Sequence, residues 1–176
     1  MAGYSKAFDL EVVLHDETVV KIRPIRPTDA GREERFFSRV STESVYRRFF
    51  HFKQELTAEE IHYLTTIDYD ERMALVALDG GEMVGVARYD VISGATRHGG
   101  LIAELALLVQ DDFQGRGLGK HLLQHLTAVA RHHHISAFMA QVQADNHRMF
   151  HLLRSCGYTV TPQPGLDAYL VDFSIR

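Results

Sequence analysis

The chain has 176 residues, 45% of them hydrophobic and 24% charged, and a formal net charge of −4 at pH 7. This length predicts one domain spanning residues 1–176, and the acidic balance argues against a nucleic-acid partner, whose affinity would depend mainly on Lys and Arg at phosphates. Because no apolar run approaches the roughly 20 residues of a membrane span, no signal-peptide pattern is present and the one cysteine cannot form an internal disulfide, we expect a cytoplasmic protein without a membrane partner.

The N-terminal part of the sequence predicts a hairpin and then helices. Two β-rich runs, residues 9–14 and 19–25, flank a polar turn. Residues 27–40 have the pattern of a helix with Thr28 as its expected cap, and a second helix begins near Ser41.

The segment VYRRFFHF, residues 45–52, mixes basic and aromatic side chains. Such a mixture can contact nucleic acid, but its helical spacing favours the simpler explanation of an amphipathic helix. We therefore expect Tyr46, Phe49 and Phe50 to point toward the core.

A third helix and a second hairpin follow. Thr57 and Glu60 have the spacing of a capping box, which indicates a helix start. Residues 72–80 and 81–91 form two apolar strands joined at a Gly-Gly turn. The run LIAELALLV at 101–109 is almost continuously apolar, which is typical of a strand buried on both faces.

The C-terminal part alternates helices and strands. Apolar residues from Leu118 to Ala130 recur at helical spacing and predict a helix, and residues 145–157 predict another. Predicted strands cover residues 136–144, 158–160 and 168–175. The second of these helices is capped by Asp145 or Asn146 and ends at Gly157.

The order of these elements predicts an α/β (α+β) fold. Antiparallel hairpins come first, and strand–helix–strand units follow. The sheet should therefore be mixed and mostly antiparallel, with one parallel crossover and helices on its faces.

Three glycines at alternate positions, Gly115, Gly117 and Gly119, lie between the apolar strand and the next helix. The free amides and the dipole of a helix N-terminus attract anions, and glycines keep side chains out of the approach. Arg116 and Lys120 could add charge-assisted contacts. The loop predicts either a phosphate site or tight packing against a neighbouring strand.

Two common nucleotide motifs do not fit this loop. The ATP-binding P-loop would need glycine at position 114 and a hydroxyl residue at position 121, where the chain has Gln114 and His121. The dinucleotide fingerprint fails because the glycines alternate.

The stretch Gln114-Gly115-Arg116-Gly117-Leu118-Gly119 matches the Q/R-x-x-G-x-G/A motif of the GNAT acetyltransferase superfamily. Val109 precedes this motif as the strand-end valine of that family does. Asn146 begins a segment that resembles the family's "N…GF" segment, and the resemblance extends from about Thr18 to the C-terminus.

This resemblance implies a GNAT-like fold with one splayed parallel strand pair and acetyl-CoA as cosubstrate. The pyrophosphate would lie on the amides of the glycine loop, and the pantetheine arm would lie between the splayed strands. Asn146 would contact that arm, or it would act as a helix cap only. By resemblance the cofactor-binding residues are Val109, Gln114, Gly115, Arg116, Gly117, Leu118, Gly119, Lys120 and Asn146.

Acetyl transfer to an amine needs a base, because an amine such as lysine is protonated at neutral pH. Glu104 is the one charged residue in the run 101–109, where partial desolvation would raise its pKa and make it the candidate general base. The alternative is a structural glutamate paired with Arg97 or a histidine. A backbone N–H near Val109 could stabilise the thioester oxygen.

The usual acid is missing from its place. Many GNAT enzymes carry a tyrosine at the position that Leu153 occupies here. The thiolate must then leave unassisted, or another group or water must protonate it.

A narrower resemblance concerns the acceptor. IRPIRPTDA, STESVYRRFF, ELTAEEI and the run at 66–78 resemble the GNAT domain of Pat-type bacterial protein lysine acetyltransferases, which implies a protein lysine as acceptor. A small-molecule amine N-acetyltransferase and a non-catalytic acyl-CoA-sensing module remain alternatives. The sequence leaves open whether the chain forms a homodimer.

Two further groups of polar residues have simple explanations. Asp68, Asp70 and Glu71 could attract a cationic amine, or they could form an exposed acidic turn. The three histidines at 132–134 end a predicted helix, and consecutive helical positions point in different directions. We therefore expect no metal site there.

Overall fold

The structure is a computed structural model that describes residues 6–97, 99–159, 161–164 and 168–175. Its strands are β1 (Leu10–Val13), β2 (Val19–Pro24), β3 (Arg72–Asp79), β4 (Glu82–Arg97), β5 (Gly100–Val109), β6 (Ile135–Gln143), β7 (Thr161–Pro164) and β8 (Ala168–Ser174). Its helices are α1 (Ala30–Arg39), α2 (Thr42–Phe49), α3 (Ala58–Thr65), α4 (Leu118–His132) and α5 (His147–Ser155). Short 3-10 turns occupy Lys6–Phe8, Pro27–Asp29 and Asp111–Phe113.

The strands form one mixed sheet in the order β1-β2-β3-β4-β5-β6-β8-β7. Each pair of neighbours is antiparallel except β5 and β6, which are parallel and are connected through α4. The predicted fold class is therefore confirmed, including its single parallel crossover.

Helices cover both faces of this sheet. Leu75 packs with the apolar side of α4 on one face, and Val76 packs with α1 and α2 on the other. Both side chains are fully buried, because successive strand residues point to opposite faces and each face has its own helical layer.

The two predicted hairpins are present. β1 pairs with β2, and β3 pairs with β4 across the turn at Gly80 and Gly81. β4 is longer than predicted, because it continues past an irregularity between Val91 and Thr96 and pairs Arg97 with Gly100.

A buried ion pair fixes the connection from β2 to α1. The guanidinium of Arg23 donates two hydrogen bonds of 2.7 Å to the carboxylate of Asp29, which also accepts the Arg26 amide at 2.9 Å. Thr28 lies inside the 3-10 turn, so the prediction that it caps the helix is wrong. The stronger acceptor, Asp29, immediately precedes α1.

The helix of the basic and aromatic segment ends earlier than expected. Phe50 has a left-handed backbone with φ 61° and terminates α2. Tyr46 is exposed and stacks on Phe52 at 4.9 Å, so its predicted core position is wrong. Val45 is the residue of α2 that is buried, and Phe49 packs at the edge of the core.

Three other predictions concern the start of α3, the strand at 158–160 and membrane-spanning helices. The capping box is confirmed, because Thr57 and Glu60 exchange hydrogen bonds of 2.8 and 3.2 Å at the start of α3. The strand expected at 158–160 is wrong at its first two residues, since β7 begins at Thr161, and Val160 lies outside the described residues. No helix in the described ranges has the length and hydropathy of a membrane span.

Candidate functional site

The parallel ladder between β5 and β6 ends before either strand does. Its last pair is Glu104 with Met139, although β5 continues to Val109 and β6 to Gln143. The strands therefore separate toward their C-terminal ends, and a cavity of about 1290 Å³ lies there. This volume exceeds the roughly 300–1,000 Å³ of most ligand pockets, so a long cofactor and an acceptor group can share it.

The glycine loop closes one end of this cavity. Among the residues that the structure describes, none accepts a hydrogen bond from the backbone amides of residues 115–119. Gly117 precedes α4, so several of these amides belong to the free N–H groups of a helix N-terminus. The loop thus presents a row of donors suited to an anion.

The three glycines have different surroundings. A Cβ on Gly115, whose φ is +75°, would have nothing within 4 Å. A Cβ on Gly117 would lie 2.8 Å from Nε2 of His15, and one on Gly119 would lie 3.4 Å from Leu152. All three glycines line the cavity, and their expected role in keeping the anion's approach clear stays a prediction. Of the three, Gly115 alone has open space on its Cβ side.

The basic residues of the loop also differ. The guanidinium of Arg116 pairs with Asp16 at 2.9 Å and lies over the Phe113 ring at 4.8 Å, and its expected contact with an anion stays a prediction. Lys120 is exposed and lines the cavity. Leu118 is fully buried in the core, which leaves only its backbone for a ligand.

Gln114 holds the parts of the cavity together. Its Nε2 donates to the carbonyl of Val109 at 3.0 Å and to Oγ of Ser44 at 3.2 Å. Its Oε1 accepts a hydrogen bond from Arg148 at 2.8 Å. One side chain therefore connects the end of β5 with α2 and α5.

Asn146 caps α5, for which the sequence predicted either Asp145 or Asn146 as the cap. Its Oδ1 accepts the Met149 amide at 3.1 Å at the start of α5. Asp145 instead accepts a hydrogen bond from Arg47 at 3.4 Å. Asn146 also lines the cavity, and its Nδ2 donates to no residue in the described part of the chain.

Glu104 lies at the point where β5 and β6 separate, and it lines the cavity. Its side chain is exposed, so the expected desolvation of Glu104 is wrong. The expected burial of the strand on both faces holds for Leu105 and Leu108, which pack on opposite faces. Asp90 is the cross-strand partner of Glu104 in β4. Within the described ranges no hydrogen bond or ion pair involves the Glu104 carboxylate, and the alternative of a structural ion pair is not observed.

The profile of the acetyltransferase (GNAT) family matches residues 39–158. The chain belongs to the GNAT acetyltransferase family. It is accordingly an N-acetyltransferase with acetyl-CoA as its acyl donor.

Individual relatives agree with this membership. The GNAT domain of S. lividans PAT has a TM-score of 0.91 and 37% identity, covering 98% of this chain and 99% of that one. Acetyltransferase PA5475 of Pseudomonas aeruginosa is 34% identical over 155 residues, which are 86% of this chain and 81% of that protein. Acetyltransferase Pat of Mycolicibacterium smegmatis is 33% identical over 138 residues, which are 77% of this chain and 40% of that protein.

The residues present fit acetyl-CoA. The free amides of the glycine loop suit its pyrophosphate, and the open side of Gly115 leaves room for phosphate oxygens. The gap between β5 and β6 suits a pantetheine arm, which needs backbone partners that two paired strands would not offer.

The position of the usual GNAT tyrosine faces the core. Leu153 is fully buried there, and no tyrosine among the described side chains lines the cavity. His147, His151 and Ser155 of α5 line it instead.

The acidic turn and the histidines lie elsewhere. The Asp68 carboxylate accepts the amides of Asp70 and Arg72, and this turn does not line the cavity. His133 contacts the hydroxyl of Tyr89 at 3.0 Å through Nδ1. In the described part of the chain no three His, Cys, Asp or Glu side chains converge as metal ligands would.

Sequence reasoning missed Arg48, which lines the cavity from the last turn of α2. Burial and the positive charge of Arg88 lower its pKa to about 10, while the negative charge of Glu104 acts in the opposite direction. The sequence signal for Arg48 was the adjacent basic pair Arg47 and Arg48 in the amphipathic segment. Helical spacing by itself places both residues on a solvent-exposed face.

Proposed function

We infer that this GNAT enzyme transfers the acetyl group to the side-chain amine of a protein lysine, with Glu104 as general base. The observation that carries the proposal is the unpaired carboxylate of Glu104, which shares one cavity with the free amides of the glycine loop. The likeness to the S. lividans PAT domain, together with the Pat-type sequence segments, supports a lysine acceptor.

The cofactor would be held by the backbone more than by side chains. The amides of residues 115–119 would donate hydrogen bonds to the pyrophosphate, with Lys120 as the nearby cation. The separated ends of β5 and β6 would take the pantetheine arm, and Nδ2 of Asn146 would donate to it. Gln114 positions this slot through its bond to the Val109 carbonyl.

In the chemistry two protons leave the lysine nitrogen, one proton reaches the sulfur, and a C–N bond replaces the C–S bond. Glu104 accepts a proton from the lysine ammonium, directly or through a water, because the amine is otherwise protonated at neutral pH. The neutral nitrogen attacks the thioester carbonyl and forms a C–N bond. It then gives its second proton to water, and the C–S bond breaks. A backbone N–H near Val109 stabilises the oxyanion, and water or a cavity histidine protonates the thiolate.

The test of the base compares two carboxylates of the same cavity. Glu104→Gln should lower kcat by about a hundredfold or more while the Kd for acetyl-CoA stays unchanged, because only the proton acceptor is lost. Glu43→Gln is the matched control, since Glu43 also lines the cavity but pairs with Arg47 at 3.0 Å. Equal turnover of Glu104→Gln and wild type would reject the assignment.

The test of the acceptor follows labelled acetyl from acetyl-CoA into dialysed host lysate. Label on a macromolecule, mapped to lysine by mass spectrometry, is the expected result. Label that appears only in the small-molecule fraction of undialysed lysate, or no label above a protein-free control, would contradict a protein acceptor.

A further inference from the structure

Six charged side chains gather on the sheet face beneath α1–α3. Asp90 is the register partner of both Arg72 and Glu104, and Arg88 precedes Asp90 by two residues on the same face. Helices α1 and α2 add one residue each. The full set is Glu33, Arg48, Arg72, Arg88, Asp90 and Glu104.

Four members of this set neutralise one another. Arg72 pairs with Asp90 at 3.0 Å and also donates to the Tyr63 carbonyl at 2.6 Å. Arg88 lies 3.7 Å from the carboxylate of Glu33. These pairs account for two arginines and two carboxylates.

The other two, Arg48 and Glu104, make no hydrogen bond or ion pair with the residues that the structure describes. The guanidinium of Arg48 lies over the neighbouring Phe49 ring at 4.9 Å, but no carboxylate or carbonyl is within hydrogen-bonding distance. The charge of Glu104 acts on Arg48 without a contact between them. A partly buried cation without direct hydrogen bonds to an anion is costly to desolvate. Both side chains line the cavity, so a substrate placed there meets one anion and one cation that have no hydrogen bond or ion pair within the described residues.

We propose that Arg48 binds a carboxylate that a substrate carries into the cavity beside Glu104. A planar guanidinium offers a carboxylate two parallel hydrogen bonds, and its low hydration suits a partly buried site. The carboxylate belongs either to the far end of a dicarboxylic acyl group on CoA or to the acceptor, next to its amine. Acceptor binding rests on the proposed function; donor binding does not.

The first experiment measures donor binding without turnover. S-(3-carboxypropyl)-CoA and S-butyl-CoA are thioethers of equal chain length. The chain of the first ends in a carboxylate, and the chain of the second ends in a methyl group. Calorimetry should show that wild type prefers the carboxylate by about tenfold, and that Arg48→Met removes this preference. Arg47→Gln, which changes the paired neighbour in the same cavity, should retain it.

The second experiment compares two acceptor peptides with acetyl-CoA, in which the lysine is flanked by Glu or by Gln. If the carboxylate comes from the acceptor, KM should be about tenfold lower for the Glu peptide, and only Arg48→Met should abolish the difference. Arg48→Lys retains the charge and should keep part of the preference for the carboxylate thioether or for the Glu peptide. This variant distinguishes loss of the charge from misfolding of Arg48→Met.

The two arms separate the sources. Preference in the thioether arm assigns the site to the acyl chain, and preference in the peptide arm alone assigns it to the acceptor. The proposal is overturned if wild type shows neither preference, or if Arg47→Gln removes it as well as Arg48→Met. If the enzyme does not acetylate protein lysines, the peptide experiment gives no turnover. The thioether experiment still gives a result, because it measures binding only.

Discussion

The carboxamide of Gln114 accepts a hydrogen bond of 2.8 Å from the guanidinium of Arg148, which joins the glycine loop to the first turn of α5. The same side chain donates to the Val109 carbonyl. Gln114→Leu keeps the volume and removes these bonds, so we expect the Kd for acetyl-CoA to rise about tenfold, since a net hydrogen bond contributes about 1 kcal/mol.

The matched control for this change is Gln110→Leu. Gln110 bonds to Arg39 and Asp112, and its side chain does not line the cavity. Calorimetry should show unchanged acetyl-CoA binding in the control. An unchanged Kd in Gln114→Leu would mean that the loop keeps its position without this residue.

Gly117 should tolerate a methyl group less well than Gly115. Both need a left-handed backbone, which costs a non-glycine residue about 1–2 kcal/mol, but only at Gly117 does the methyl group meet His15 at 2.8 Å. Urea unfolding should show Gly117→Ala to be less stable than Gly115→Ala. In a His15→Ala background the difference should disappear, and its persistence would contradict the steric explanation.

The same comparison makes Gly115 the better probe of the pyrophosphate site. Gly115→Asn tolerates the left-handed backbone and places a side chain in the open space where nothing lies within 4 Å. We expect a loss of acetyl-CoA affinity of about tenfold or more with the fold intact, because one blocked phosphate contact removes charge-assisted hydrogen bonds. Retained wild-type affinity would place the pyrophosphate elsewhere.

Asn146 combines a cap with the proposed pantetheine contact, and two variants separate these roles. Asn146→Ala removes the oxygen that accepts the Met149 amide and should cost about 1 kcal/mol of unfolding free energy. Asn146→Asp retains the cap but loses Nδ2, so it should keep its stability and bind acetyl-CoA more weakly. Normal binding by Asn146→Asp would assign the residue to capping alone.

The buried pair of Arg23 and Asp29 should dominate the stability of the N-terminal part. Asp29→Asn leaves the Arg23 guanidinium buried without a counter-ion, which typically costs about 3–5 kcal/mol. Asp16→Asn breaks the solvent-exposed pair with Arg116 and should cost far less, because water screens that charge. Equal losses in urea unfolding would contradict the burial argument.

The pH dependence of this effect has a defined sign. Burial opposes ionisation of Asp29, but the hydrogen bonds from Arg23 and Arg26 outweigh it and hold the pKa of the carboxyl below its usual value. Its stabilising contribution is complete above the unfolded-state pKa of about 3.9 and is lost as pH falls through the lower folded-state pKa. The stability difference between wild type and Asp29→Asn should therefore shrink below about pH 4.

Local patterns in the sequence predicted much of this fold correctly. The Gly80–Gly81 turn and the capping box of Thr57 and Glu60 depend on neighbouring residues only, and both are present. The wrong predictions concern positions where contacts with residues distant in the chain override the local pattern. Thr28 is an acceptable cap by itself, but the buried guanidinium of Arg23 fixes Asp29 beside it as the residue that precedes α1.

The sequence by itself determined the order of elements, the parallel crossover and the place of the glycine loop, because periodicity, turn residues and caps act over a few positions. Only the tertiary structure decided what each site residue contacts. The separation of β5 and β6 exposes Glu104, and His15 occupies the space beside Gly117. Pairing between strands and helices leaves Arg48 without an ion-pair partner among the described residues. Such contacts join residues far apart in the chain, and no local pattern encodes them.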